Sequence, residues 1–98
     1  MASHFRRDAL FLIAGPCVLE SDALNLRVGE HLARLAESVP GGIVFKASFD
    51  KANRSNAGAH RGPGLDEGLA ALDRVRAATG LPILTDVHLP EQCDPAAQ

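Results

Sequence analysis

The stretch Ile43-Val44-Phe45-Lys46-Ala47-Ser48-Phe49-Asp50-Lys51 decides the predicted fold of this 98-residue chain. Three apolar residues in succession predict a buried strand, and Lys46 stands at its carboxyl end. Eight of the ten basic side chains are arginine, and the two lysines are Lys46 and Lys51. A chain that is otherwise rich in arginine therefore places both of its ammonium groups in one short stretch.

These lysines are accompanied by further polar groups, namely Ser48, Arg54 and Ser55. An ammonium group suits a point contact to phosphate or carboxylate, and a guanidinium suits a bidentate contact to the same groups. The stretch therefore predicts a binding site for a ligand with more than one negative group. The alternative is a polar loop after a strand, with its charges in solvent.

The flanking sequence alternates short apolar runs with helical patterns. Leu10–Ala14 is a continuous apolar run bounded by Gly15-Pro16, which predicts a strand covered on both faces. Ser21 is a candidate N-cap for a helix that ends before Pro40-Gly41-Gly42. Helical spacing returns at Leu65, Leu69, Leu72 and Val75, ending at Thr79-Gly80. A third strand is predicted over Ile83–Val87, and Pro90-Glu91-Gln92 is typical of a first helical turn.

The order strand–helix–strand–helix–strand predicts an α/β fold with parallel strands and right-handed crossovers. Three such strands with two helices do not cover both faces of a sheet and do not close a barrel. We therefore interpret residues 1–98 as the amino-terminal part of a single larger domain, with residues 1–8 disordered. The connection from Ala47 to about Gly64 is far longer than the usual 2–6 residues, which favours a functional loop.

Polar residues follow each predicted strand. Cys17 follows the first, Lys46 ends the second, and Asp86 and His88 follow the core of the third. Because ligands bind at the carboxyl ends of parallel strands, these four residues are candidates for one site. Each also has a simpler interpretation: a small buried thiol for Cys17, a backbone cap for Asp86 and a polar loop residue for His88. We interpret Cys93 as structural.

Composition argues against several classes of partner. The net charge of −2 and the absence of Trp and Tyr do not favour nucleic acid or an anionic membrane. The apolar run after Arg6-Arg7 is too short for a signal peptide, and two distant cysteines do not indicate a disulfide framework. We expect a cytoplasmic protein.

Four segments of this sequence together resemble 3-deoxy-D-manno-octulosonate 8-phosphate synthases. They are Ala14-Gly15-Pro16-Cys17-Val18-Leu19-Glu20-Ser21, Phe45-Lys46-Ala47-Ser48-Phe49-Asp50-Lys51-Ala52-Asn53-Arg54-Ser55, Arg61-Gly62-Pro63-Gly64-Leu65 and Leu84-Thr85-Asp86-Val87-His88. The related 3-deoxy-heptulosonate 7-phosphate synthases share the G-P-C and R-G-x-G elements but lack the F-K-A-S-F-D-K-A-N-R-S stretch.

The resemblance implies that the chain is the amino-terminal β-α-β-α-β segment of a truncated (β/α)8 TIM barrel, with a homotetramer as the intact enzyme. That enzyme condenses phosphoenolpyruvate with arabinose 5-phosphate and water in lipopolysaccharide biosynthesis. By resemblance, the catalytic candidates are Lys51, Asp86 and His88. The substrate-binding candidates are Lys46, Ser48, Lys51, Asn53, Arg54, Ser55 and Arg61.

Cys17 matches the metal ligand of the metal-dependent subclass, where the metal-independent subclass carries Asn. The resemblance thus implies a divalent transition metal, with zinc or ferrous iron favoured by a thiolate. The remaining ligands lie later in the family's chain. One stretch departs from the family pattern: Asn56-Ala57-Gly58-Ala59-His60 gains a glycine and lacks the usual aromatic residue. Two alternatives remain, a related heptulosonate phosphate synthase and a non-catalytic segment that binds anions weakly.

Overall fold

The computed structural model describes residues 5–50 and 64–98. Three parallel strands lie in the order β1-β2-β3, where β1 is Leu12–Val18, β2 is Ile43–Ser48 and β3 is Ile83–Leu84. Helix α1 (Asp22–Ala36) joins the first two strands, and α2 (Leu65–Thr79) precedes the third. A 3-10 turn at Pro90–Gln92 leads into α3 (Cys93–Ala97). The predicted α/β class and parallel β-α-β-α-β order are confirmed.

Strand β1 differs from its predicted bounds because it continues through Gly15 and Pro16. Ala14 pairs with Phe45 and Cys17 pairs with Ala47, so three steps along β1 match two along β2. Such a bulge leaves an extra residue unpaired, and proline is tolerated there because it has no N–H to contribute to the ladder. The Gly-Pro pair therefore bends the strand instead of ending it.

The expected covering of β1 on both faces is also absent from the described part of the chain. Leu12 and Ile13 are 44% and 54% exposed. The reason is position: β1 lies at the edge of the described sheet, whereas β2 lies at its centre. The buried core is accordingly built on β2 and the helices, from residues that include Ile43, Phe45, Ala47, Phe49, Leu72 and Val75.

Both long helices begin and end as local chemistry dictates. The Ser21 hydroxyl accepts a hydrogen bond from the Leu24 amide at 3.2 Å, which caps the amino terminus of α1. Gly80 ends α2 with a φ of 75°, a left-handed conformation that glycine adopts without steric cost. The two helices approach closely at Gly29, where an added Cβ would lie 3.0 Å from a Val75 methyl.

Strand β3 is shorter than the predicted Ile83–Val87. It pairs with β2 only through Ile83 and Leu84, opposite Phe45 and Lys46. The helical turn predicted at Pro90 is confirmed, but Cys93 is exposed and has no part in the core.

The described part of the amino-terminal segment, Phe5–Asp8, contacts the rest of the chain. The Arg6 amide donates to Gly41 O at 2.7 Å, and the Phe5 ring packs edge-on against Phe11. Among the described helices, none combines the length and apolar character that a membrane span requires.

Candidate functional site

The carboxyl ends of the three parallel strands share one edge of the sheet. Cys17 and Val18 pair with Ala47 and Ser48, so the end of β1 lies beside the end of β2. Lys46 pairs with Leu84, two residues before Asp86. The sequence-predicted residues of the described part are therefore brought to one edge, as parallel pairing requires.

Lys46 and Ser48 form the centre of this edge. The Lys46 ammonium donates to the Ser48 hydroxyl at 3.3 Å, and Lys46 is half-buried while Ser48 is 1% exposed. An ammonium group that is partly removed from water and has a neutral partner keeps donors for an anion. Partial burial also strengthens its attraction to that anion.

Asp86 places a carboxylate beside this ammonium. Partial burial raises the pKa of Asp86, but hydrogen bonding from the Ser48 hydroxyl and the backbone, and the charges of Lys46 and His88, outweigh burial and lower it. The carboxyl is therefore ionised at neutral pH. Its Oδ1 is buried and has no hydrogen-bond partner among the described residues. Asp86 thus balances the charge of Lys46 and retains capacity to accept a hydrogen bond.

The register of β3 against β2 can be extended past Leu84, the last paired residue of β3, by counting along both segments. Counting in steps of two, Ser48 comes opposite Asp86 and Asp50 comes opposite His88. The contacts agree, because His88 Nε2 lies 2.6 Å from the carbonyl oxygen of Asp50 and 3.8 Å from Asp86 Oδ2.

Cys17 is exposed and has a φ of 73°, the positive-φ conformation that is uncommon outside glycine. Such conformations cost about 1–2 kcal/mol and concentrate at functional positions. The exposure of Cys17 in the described part of the chain does not favour the alternative of a small buried thiol. In residues 5–50 and 64–98, however, no three His, Cys, Asp or Glu side chains cluster closely enough to hold a metal. Cys17 fits a metal as one donor, and the other ligands would have to come from elsewhere.

Several predicted site residues lie outside the described residues: Lys51, Asn53, Arg54, Ser55 and Arg61. The departing stretch 56–60 lies there too. The described ends on either side are fastened together, since the Gly64 amide donates to Phe49 O at 2.9 Å. An added Cβ at Gly68 would lie 2.3 Å from the Phe49 Cβ, so α2 packs directly on this point.

Three residues that support the edge were not predicted from sequence. Gly15 lies so close to β2 that an added Cβ would meet Lys46 O. Because Pro16 follows it, Gly15 was interpreted as the end of a strand. Gln92 Oε1 accepts from the amides of His88 and Leu89 at 2.8 and 3.1 Å. Asn25 is fully buried and its Oδ1 accepts from the Glu20 amide at 3.2 Å, just after β1. A polar residue on the apolar face of α1 was the available signal for Asn25.

Comparison with known proteins gives the same assignment as the motifs. The chain is 52% identical over 87 residues to the 2-dehydro-3-deoxyphosphooctonate aldolase of Syntrophotalea carbinolica, covering 89% of this chain and 31% of that protein. It is 47% identical over 89 residues to the protein of the same name from Desulfatibacillum aliphaticivorans, covering 91% and 33%. It is 48% identical over 89 residues to that of Geobacter sulfurreducens, with the same coverage.

The chain spans about a third of the length of these curated relatives. The sequence profile of the DAHP synthetase I family matches residues 5–98. The resemblance of the motifs to 3-deoxy-D-manno-octulosonate 8-phosphate synthases is thus confirmed at the level of the family. On the agreement of fold, strand-end residues and sequence, the chain belongs to the DAHP synthetase I family.

Proposed function

We propose that the intact protein containing this chain condenses phosphoenolpyruvate with arabinose 5-phosphate and water, releasing phosphate and 3-deoxy-D-manno-octulosonate 8-phosphate. The proposal rests on the half-buried Lys46 ammonium beside Ser48 at the carboxyl edge of the sheet. The names of the relatives support the eight-carbon product over the seven-carbon one. The intact enzyme would be a (β/α)8 barrel, a homotetramer and cytoplasmic.

The substrates explain the concentration of cationic groups. Phosphoenolpyruvate carries a phosphate and a carboxylate, and the sugar carries a second phosphate. Lys46 and Lys51, with Ser48, would hold phosphoenolpyruvate, while Asn53, Arg54, Ser55 and Arg61 would meet the sugar phosphate. Donors fixed in a site shielded from water stabilise negative charge without reorganising during the reaction. Asp86 would keep Lys46 oriented and balance its charge before the substrate binds.

Cys17 would supply one ligand to a divalent transition metal. A bound metal ion of this kind supplies charge stabilisation or activates water. The contribution of this chain is the exposed thiol, held at the edge of the sheet by the bulge of β1.

The test is phosphate release from phosphoenolpyruvate by the full-length enzyme with two competing aldoses. We expect turnover with arabinose 5-phosphate and at least about tenfold lower kcat/KM with a four-carbon aldose phosphate, which would yield the heptulosonate. The reverse preference would favour the heptulosonate phosphate synthase. We expect no phosphate release from the 98-residue chain alone, because three parallel strands do not close a barrel, and release by that chain would contradict this expectation.

A further inference from the structure

The ring of His88 faces two oxygen atoms that only accept hydrogen bonds. Its Nε2 lies 2.6 Å from the carbonyl oxygen of Asp50 and 3.8 Å from Oδ2 of Asp86. A bare Nε2 lone pair at 2.6 Å from a carbonyl oxygen would be repelled by it, so Nε2 carries the hydrogen. The nearer oxygen, that of Asp50, receives the hydrogen bond.

The remaining contacts of His88 fix its position. Gln92 Oε1 accepts from the His88 amide at 2.8 Å and from the Leu89 amide at 3.1 Å, which holds the local backbone. The ring lies near Phe49, with centroids 6.0 Å apart and planes at 50°. Phe49 is 1% exposed and belongs to the core, so the imidazole is supported by a rigid neighbour.

The acceptor of this hydrogen bond belongs to the residue that directly precedes Lys51 in the sequence. The carbonyl of Asp50 is half of the peptide bond to Lys51, the second of the two lysines. The preceding carbonyl, that of Phe49, accepts from the Gly64 amide at 2.9 Å. Two consecutive carbonyls just after β2 are therefore each held by a separate part of the chain, one by the N-cap residue of α2 and one by the segment after β3.

We propose that His88 is a positioning residue, whose Nε2–H holds the Asp50 carbonyl and thereby fixes the described end of the segment after β2. This role differs from proton transfer to or from a substrate, and it rests on the proposed function because Lys51, the next residue in the sequence, is a candidate for binding phosphoenolpyruvate. Orientation matters here since a displacement of about 1 Å from the reacting geometry costs on the order of a hundredfold in rate.

The test compares His88→Gln with His88→Asn in the full-length enzyme. Neither amide titrates, so neither replaces an acid or a base. The glutamine amide nitrogen is separated from Cα by as many bonds as His88 Nε2 and reaches Asp50 O, whereas the asparagine amide is one bond too short. We expect kcat/KM for phosphoenolpyruvate to stay within about threefold of the parent in His88→Gln and to fall at least about tenfold in His88→Asn.

Two results would overturn the proposal. An equal loss of about a hundredfold or more in both variants would identify proton transfer, and unchanged kinetics in both would remove His88 from the site. His31→Gln, on the exposed side of α1, is the control for the loss of a histidine as such.

A spectroscopic measurement separates this proposal from the proposed function. In the full-length enzyme labelled with nitrogen-15 histidine, the signal absent from His88→Gln should show a protonated Nε2. A neutral ring with the proton on Nδ1 would overturn the positioning role even in an active enzyme. If the enzyme does not condense the two substrates, the spectrum still reports whether the hydrogen bond to Asp50 exists.

Discussion

The carbonyl oxygen of Lys46 occupies the space in which residue 15 would carry a side chain, since a Cβ built on Gly15 would lie 1.8 Å from it. This contact joins β1 to β2 at the bulge, one residue pair before Cys17 meets Ala47. The approach of the two backbones therefore sets the relative positions of the thiol and the ammonium.

Gly15→Ala should accordingly lower the free energy of unfolding by about 3 kcal/mol or more, because the contact is with backbone and no side chain can move aside. Gly64→Ala is the comparison: with φ 92° and ψ 177° Gly64 has a conformation that is essentially confined to glycine, and no described atom lies within 4 Å of an added Cβ, so its cost of about 1–3 kcal/mol would come from the backbone conformation. Urea denaturation of the full-length variants measures both. A Gly15→Ala midpoint equal to that of the parent would contradict the close approach at Gly15.

Lys46→Ala and Lys51→Ala should each lower kcat/KM by roughly a hundredfold, since losing one partner of a desolvated charge pair costs about 2–5 kcal/mol. Arg74→Ala is the control, because Arg74 pairs with Asp22 at 3.1 Å on the exposed outer side of the helices. That variant should keep parental kinetics. Similar losses in the lysine and arginine variants would mean that the anion site lies elsewhere.

Asp86→Asn tests the charge balance at the sheet edge through pH. Because the pKa of the folded Asp86 carboxyl lies below its ordinary 3.8, its ionised form stabilises the fold above that pH. Below pH 3.8 the stability difference between parent and variant should shrink as the pH falls through the folded pKa. A difference that instead grows on acidification would indicate a raised pKa and a protonated carboxyl.

Gln92→Leu should lower the stability of the segment after β3. The amides of His88 and Leu89 lose their shared acceptor in this variant. We expect a loss of about 1 kcal/mol in stability, typical of a lost cap. Gln92→Glu keeps an acceptor oxygen and should lose less. Hydrogen exchange at the His88 and Leu89 amides, faster in Gln92→Leu alone, is the direct measurement.

The sequence predicted those helix ends whose capping residues lie within the same segment of the chain. Ser21 and Gly80 carry their own capping groups, so the start of α1 and the end of α2 could be assigned from sequence alone. Gly15-Pro16 was misinterpreted as a strand end, because whether a glycine stops a strand or admits a neighbouring backbone depends on the partner strand. The contact between His88 and Asp50 depends on the register of β3 against β2, which no pattern within either segment specifies.

The conformation of Cys17 predicts which substitutions it tolerates. At a φ of 73°, Asn and Gly are accommodated, whereas a β-branched side chain is strongly disfavoured. Cys17→Asn should therefore unfold at nearly the parental urea concentration, and Cys17→Val should lose about 1–2 kcal/mol. Equal stability of the two variants would contradict the left-handed conformation.

The chemical role of Cys17 can then be tested without a confounding loss of fold. A thiolate favours zinc or ferrous iron over magnesium, so the full-length enzyme should lose activity to a chelator and regain it with a transition metal. Cys17→Ala should abolish that recovery, because the remaining ligands bind the metal more weakly. Cys17→Asn should keep some turnover in chelator, since it combines a tolerated conformation with the residue of the metal-independent subclass. Chelator-resistant activity in the parent would remove Cys17 from the site and leave the two lysines as its basis.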